Sequence, residues 1–88
     1  MITKENLTEV MNLITEKQFK EVMNSNTDHL GLFIDGYGNV FLESINLFKD
    51  EEREEEIRST GGAIMDKDDF LRLFMESGSL NPFIMEYC

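Results

Sequence analysis

Eighty-eight residues make one small domain, because a second core cannot be built from so short a chain. Apolar residues are 41% of it, with seven Phe and six Met, which is enough to bury a core and argues against a disordered chain. Eighteen Asp and Glu against eight Lys and Arg give a net charge of −10; such a surface repels phosphate and anionic lipid, and so argues against direct nucleic-acid or membrane binding.

Residues 3–24 carry a helical pattern. Leu7, Val10, Met11 and Ile14 fall at i, i+3, i+4 and i+7 and define one apolar stripe, widened by Leu13. Thr3 is placed to cap the start, with Glu5 in the first turn. Phe19, Val22 and Met23 keep helical spacing, but at about 100° per residue they lie roughly a third of a turn from the first stripe. Thr15 followed by Gln18 is a capping-box pattern where the stripe shifts. A kink near Thr15, or two short helices, is therefore expected. The tetrapeptide Glu-Val-Met-Asn recurs at 9–12 and 21–24, but a twelve-residue offset does not return a helix to the same face, so no structural repeat is implied.

Residues 29–45 read as a β-hairpin, two apolar runs around a glycine-containing turn. A three-residue loop Gly36-Tyr37-Gly38 puts Gly38 at the left-handed position such loops require. That register sets Ile34 opposite Val40 and Leu32 opposite Leu42 on one face, with Phe33 opposite Phe41 on the other. A two-residue loop Asp35-Gly36 would set Leu32 opposite Asn39 and lose the match. The shared Phe33–Phe41 face implies a second cover, from the protein itself or from a partner.

Lys49 to Glu56 is a run of eight charged residues, six acidic and two basic. Glu and Arg favour helix, and Glu54–Arg58 is a stabilising i, i+4 pair. No apolar stripe crosses the run, so this helix is expected to reach the core only through Ile45, Phe48 and Ile57. Residues 59–62 are a loop and Ala63-Ile64-Met65 a short strand. Asp66 caps a further helix with Phe70, Leu73 and Phe74 as its buried stripe, ended by Gly78 ahead of Pro82. The tail, Phe83 to Tyr87, can supply a last strand. The expected class is α+β: a small two-layer domain with an antiparallel sheet and helices on one side.

Enzyme chemistry finds little support in these residues. His29 is the single histidine and opens the first strand, where a surface or edge position is ordinary; Cys88 is the single cysteine, with nothing basic near it. One cysteine excludes an internal disulfide and fits a reducing, cytoplasmic compartment. The opening MITKENLTEV has no apolar stretch long enough for a signal peptide, and nothing later could span a bilayer. Asp35 to Val40 superficially resembles an EF-hand loop. Aligned that way, however, the first, third, fifth and twelfth positions are Phe33, Asp35, Tyr37 and Ser44, which leaves one carboxylate for calcium. Asp66, Asp68 and Asp69 could face a magnesium ion, but acids at a helix start are ordinary capping. Gly36-x-Gly38 lacks the third glycine and following helix of a phosphate cradle. No metal or cofactor is expected.

The acidic surface is what remains. Residues 1–44 carry −4 and residues 45–88 carry −6, the excess lying in 50–56 and 66–69. Carboxylates three and four residues apart on a helix are about 5–6 Å apart, comparable in scale with successive phosphates of a strand. An acidic helix can therefore occupy a groove shaped for a nucleic-acid backbone. Small phage-type inhibitors of restriction and CRISPR nucleases work in this way, and the chain is similar to them in size and charge only. The expectation is a non-enzymatic inhibitor or binding module for a partner protein with a basic surface, such as a nucleic-acid-binding enzyme. Asp50, Glu51, Glu52, Glu54, Glu55 and Glu56 would supply the charge, Asp66, Asp68 and Asp69 a second patch, and Tyr37 an apolar anchor. The alternative is a structural or regulatory subunit that homo-oligomerises through the apolar sheet face. A solvated helix that only maintains solubility would account for the same charge.

Overall fold

The computed structural model describes residues 1–87; the expectation of an inert thiol at Cys88 lies outside them. Within that span the protein is an α+β domain. Its elements in chain order are α1 (Leu7–Leu13), α2 (Glu16–Met23), β1 (His29–Ile34), β2 (Val40–Ile45), α3 (Glu51–Ser59), β3 (Ala63–Asp66), α4 (Lys67–Ser77) and α5 (Pro82–Met85). The sheet order is β2-β1-β3, with β1 antiparallel to both neighbours.

The stripe shift near Thr15 resolves as two helices. Ile14 leaves α1 in extended conformation, and Thr15 begins α2 with a reciprocal capping box: Gln18 N donates to Thr15 Oγ1 at 3.2 Å and Thr15 N to Gln18 Oε1 at 2.9 Å. Thr3 does not cap α1 directly. It exchanges hydrogen bonds with Asn6 across a turn, and the helix starts at Leu7. Val10, Met11, Ile14, Phe19 and Val22 are buried as their spacing predicts, whereas Leu13 faces solvent.

The hairpin register is the expected one, with Leu32 opposite Leu42, Phe33 opposite Phe41 and Ile34 opposite Val40. Gly38 has φ 84°, a conformation strained for any residue with a Cβ. Leu30, Leu32 and Val40 point to one side of the sheet. There they join Val10, Met11, Phe19, Phe70, Phe74 and Ile84 in the main core.

Three further expectations are corrected. The tail is the short helix α5, not a strand. Pro82 has the φ that a first helical position needs, and Phe83, Ile84 and Tyr87 follow helical spacing rather than alternation. Ile84 is buried, while Phe83 and Tyr87 reach Phe19 at 5.9 and 4.9 Å between ring centroids. Asn81, also buried, fastens this end by donating its Nδ2 to the carbonyls of Met11 and Ile14 at 3.1 and 3.0 Å. Secondly, Phe48 does not reach the core; it is 94% exposed. Thirdly, α3 does not share the side of the other helices. It covers the opposite face, where Gly31, Phe33 and Ile64 lie. A Cβ on Gly31 would stand 2.6 Å from Ile57 Cδ1, so the missing side chain is what lets α3 sit down on β1. The protein itself thus covers this face at Phe33, while Phe41 on the edge strand stays 39% exposed.

Candidate protein-binding surface

α3 is seated by two residues one helical turn apart, Arg53 and Ile57. Ile57 is its one buried residue, 1% exposed. The Arg53 guanidinium lies 5.2 Å from the Phe33 ring centroid, and Phe33 in turn stacks on Phe41 at 5.1 Å. It donates to both oxygens of Glu43, Nε to Oε2 at 2.6 Å and Nη2 to Oε1 at 3.0 Å, and to Glu56 at 3.0 Å. These carboxylate partners, Glu43 foremost, raise the guanidinium pKa further above its already high value. A bidentate pair half open to water is worth about 0.5–1 kcal/mol, and the ring contact about as much again.

That seating sorts the acidic residues into two groups. Glu56 is held by Arg53, and Glu54 by Arg58 at 2.9 Å, the i, i+4 pair read from the sequence. Asp50 accepts from Asn46 N at 2.9 Å and so closes the bend before the helix. Glu51, Glu52 and Glu55 are exposed and, among the described residues, make no ion pair or side-chain hydrogen bond. On a helical wheel Glu51 and Glu55 lie opposite Arg53 and Ile57, with Glu52 beside them. These three are the free carboxylates of the helix.

The second patch is partly structural as well. Asp66 Oδ1 accepts from Asp69 N at 2.6 Å and caps α4, while Asp69 pairs with Arg72 at 3.0 Å. Asp68 is exposed. His29 starts β1, which is the central strand rather than an edge, and its partners are Ile45 on one side and Asp66 on the other. Both acidic stretches therefore emerge at the same end of the sheet. Shallow hollows connect them through shared walls: one contains Asp50, Glu51 and Glu52 with Phe48; the next runs from Phe48 to Asp28 and His29; the third contains Asp28, His29, Asp66 and Asp68.

Tyr37 is not brought to this surface. It sits at the hairpin tip, 94% exposed, beyond the Ile34–Val40 pair, whereas α3 packs over Gly31 and Phe33. Its turn is well ordered, because Asp35 Oδ1 accepts from Tyr37 N at 2.8 Å and Asn39 N at 2.9 Å. Those N–H groups, Asn39's foremost, hold the Asp35 carboxyl below its ordinary range. Sequence reasoning missed Phe48 as a surface residue and Arg53 as an anchor. The signals were present in the Asn-x-Phe-x-Asp turn ahead of the acidic run, and in the i, i+4 spacing of Arg53 and Ile57.

Among the described residues, no group of three or more His, Cys, Asp and Glu could hold a metal ion, and no helix is long and apolar enough to cross a membrane. The chain matches no protein-family model, no curated protein and no solved structure.

Proposed function

We propose that the protein is a non-enzymatic binding module, an inhibitor whose α3 occupies a basic surface on a partner protein, of the kind that handles nucleic acid. The observation carrying this reading is the trio Glu51, Glu52 and Glu55. They stand on the open side of a helix fixed by Arg53 and Ile57, with no partner within the described residues. Carboxylates spaced about 5–6 Å apart on a rigid support suit the Lys and Arg of a phosphate-binding groove. Ion pairs formed there remain partly exposed, so they act mainly on the rate of encounter.

The test begins with capture of partners from a lysate at low and at high salt, followed by kinetics on the purified partner. The variant Glu51→Gln, Glu52→Gln, Glu54→Gln, Glu55→Gln is expected to associate far more slowly. Wild-type binding should weaken as the Debye length falls below about 8 Å, and the protein should compete with DNA or RNA for the partner. Binding indifferent to salt and to all four substitutions overturns the proposal.

A further inference from the structure

The last β1–β2 pair, His29–Ile45, opens into two loops, 26–28 and 46–48, that part around a groove of about 250 Å³. Its floor is buried Ile45, and its walls include Leu47, Thr27 and the fully presented ring of Phe48. The exposure of Phe48 is built in. Phe48 N donates to Asn46 Oδ1 at 3.0 Å, Asn46 N to Asp50 Oδ2 at 2.9 Å, and Lys49 and Asp50 N–H both return to Asn46 O. A residue of that size held in water by its own backbone forfeits the burial of a whole aromatic side chain.

The charge around the groove identifies the occupant. The hollows on either side, which share Phe48, Asp28 and His29 with it, bring seven carboxylates against three basic side chains. Of the three, Arg53 is committed to Glu43 and Glu56, and Lys67 Nζ to the carbonyls of Met23 and Ser25 at 3.1 Å each, so Lys49 alone of them has no side-chain partner among the described residues. Such a rim repels nucleic acid, anionic lipid and a second copy of this chain at −10. We infer that the groove at Phe48 binds a basic polypeptide segment through one apolar side chain, with flanking Lys and Arg facing Asp28 and Asp68 on one side and Glu51 and Glu52 on the other. This rests on the proposed function above and supplies the apolar anchor that charge alone lacks.

The probes are two short amidated peptides of Lys and Arg, one with a central Leu and one with Ser in its place, titrated into 15N-labelled protein and by calorimetry. The Leu peptide is expected to bind about fivefold more tightly, since an open groove buries part of one Leu side chain. That advantage should vanish in Phe48→Ser, whose ring makes no core contact. In Asp28→Asn, Asp68→Asn both peptides should weaken about threefold while the Leu advantage persists. Amide shifts should centre on residues 26–29 and 45–48. Equal affinity of the two peptides, an advantage that survives Phe48→Ser, shifts centred on Tyr37 or α5, or no binding of either peptide overturns the inference. Partner binding that depends on the α3 glutamates but not on Phe48 overturns the groove alone; binding that depends on neither overturns the proposed function too.

Discussion

Ile57→Ala should release α3 while leaving the main core in place. Ile57 is 1% exposed and is the one buried side chain of a nine-residue helix, and it lies outside the cluster around Phe19 and Phe70. Removing most of a buried Ile costs about 2–4 kcal/mol, with little relaxation to recover it, because Gly31 beneath offers no side chain to fill the space. A domain of this size has a total stability of about 4–13 kcal/mol, so the loss is a large fraction of it. With a shift of about 4–8 °C per kcal/mol, the melting temperature should fall by about 8–32 °C. The loss should also be local. An isolated helix of this length is not stable in water, and the Arg53 contacts cannot replace the apolar anchor. Amides of α3 should therefore exchange with solvent much faster, while those paired between β1 and β2 stay protected. Ile57→Val, one methyl smaller, should cost about 1 kcal/mol and keep the helix seated. A melting temperature within about 4 °C of wild type, with α3 amides still protected, would refute the argument and transfer the anchoring to Arg53.

Gly38→Val should cost more than about 1 kcal/mol because φ at that position is 84°, whereas Gly36→Ala, with open space around it and no positive φ, should be nearly silent in a thermal melt. Asp35 gives the hairpin a pH dependence. Its folded pKa lies below the ordinary 3.8, so its contribution is complete above that value and is lost as pH falls through the lower folded value. The Tyr37 and Asn39 amide resonances should report the loss, and in Asp35→Ala they should show no such titration. Changing Glu51, Glu52, Glu54 and Glu55 to Gln sacrifices one i, i+4 pair, Glu54–Arg58, with Glu54 partly buried, worth about 0.3–0.5 kcal/mol, and relieves repulsion among the rest. The melting temperature should stay within a few degrees; collapse of the fold would reveal structural pairs among these acids.

Local patterns foretold local structure. The capping box at Thr15, the left-handed Gly38, the Leu32–Leu42 register and the Asp66 cap all follow from residues within a few positions of one another. What stayed hidden depends on distant partners. The i, i+4 spacing of Arg53 and Ile57 puts the two on one helix face, but it does not name Glu43 and Phe33 as partners, because that contact exists only once α3 has crossed over β1. The same blindness made the acidic run look uniformly free, when Glu54, Glu56 and Asp50 are in fact engaged. The tail reads differently for another reason: Phe83 and Ile84 favour strand by composition, but Pro82 and the anchoring of Asn81 across to α1 decide for helix.

Since β2 and β3 flank β1, α3 is also the crossover that joins them, and its place in the fold is set by that topology. Its composition is not. Two of its nine positions, Arg53 and Ile57, hold it to the sheet, and three others, Glu51, Glu52 and Glu55, make no ion pair or side-chain hydrogen bond among the described residues. Those three can be rewritten to neutral residues without breaking any side-chain hydrogen bond or ion pair among the described residues; the opposite charge at Glu51 or Glu52 would oppose the helix dipole in the first turn. The helix is in that sense an exchangeable label on a fixed mount, one on which selection or a designer can install a new address while the domain beneath remains the same.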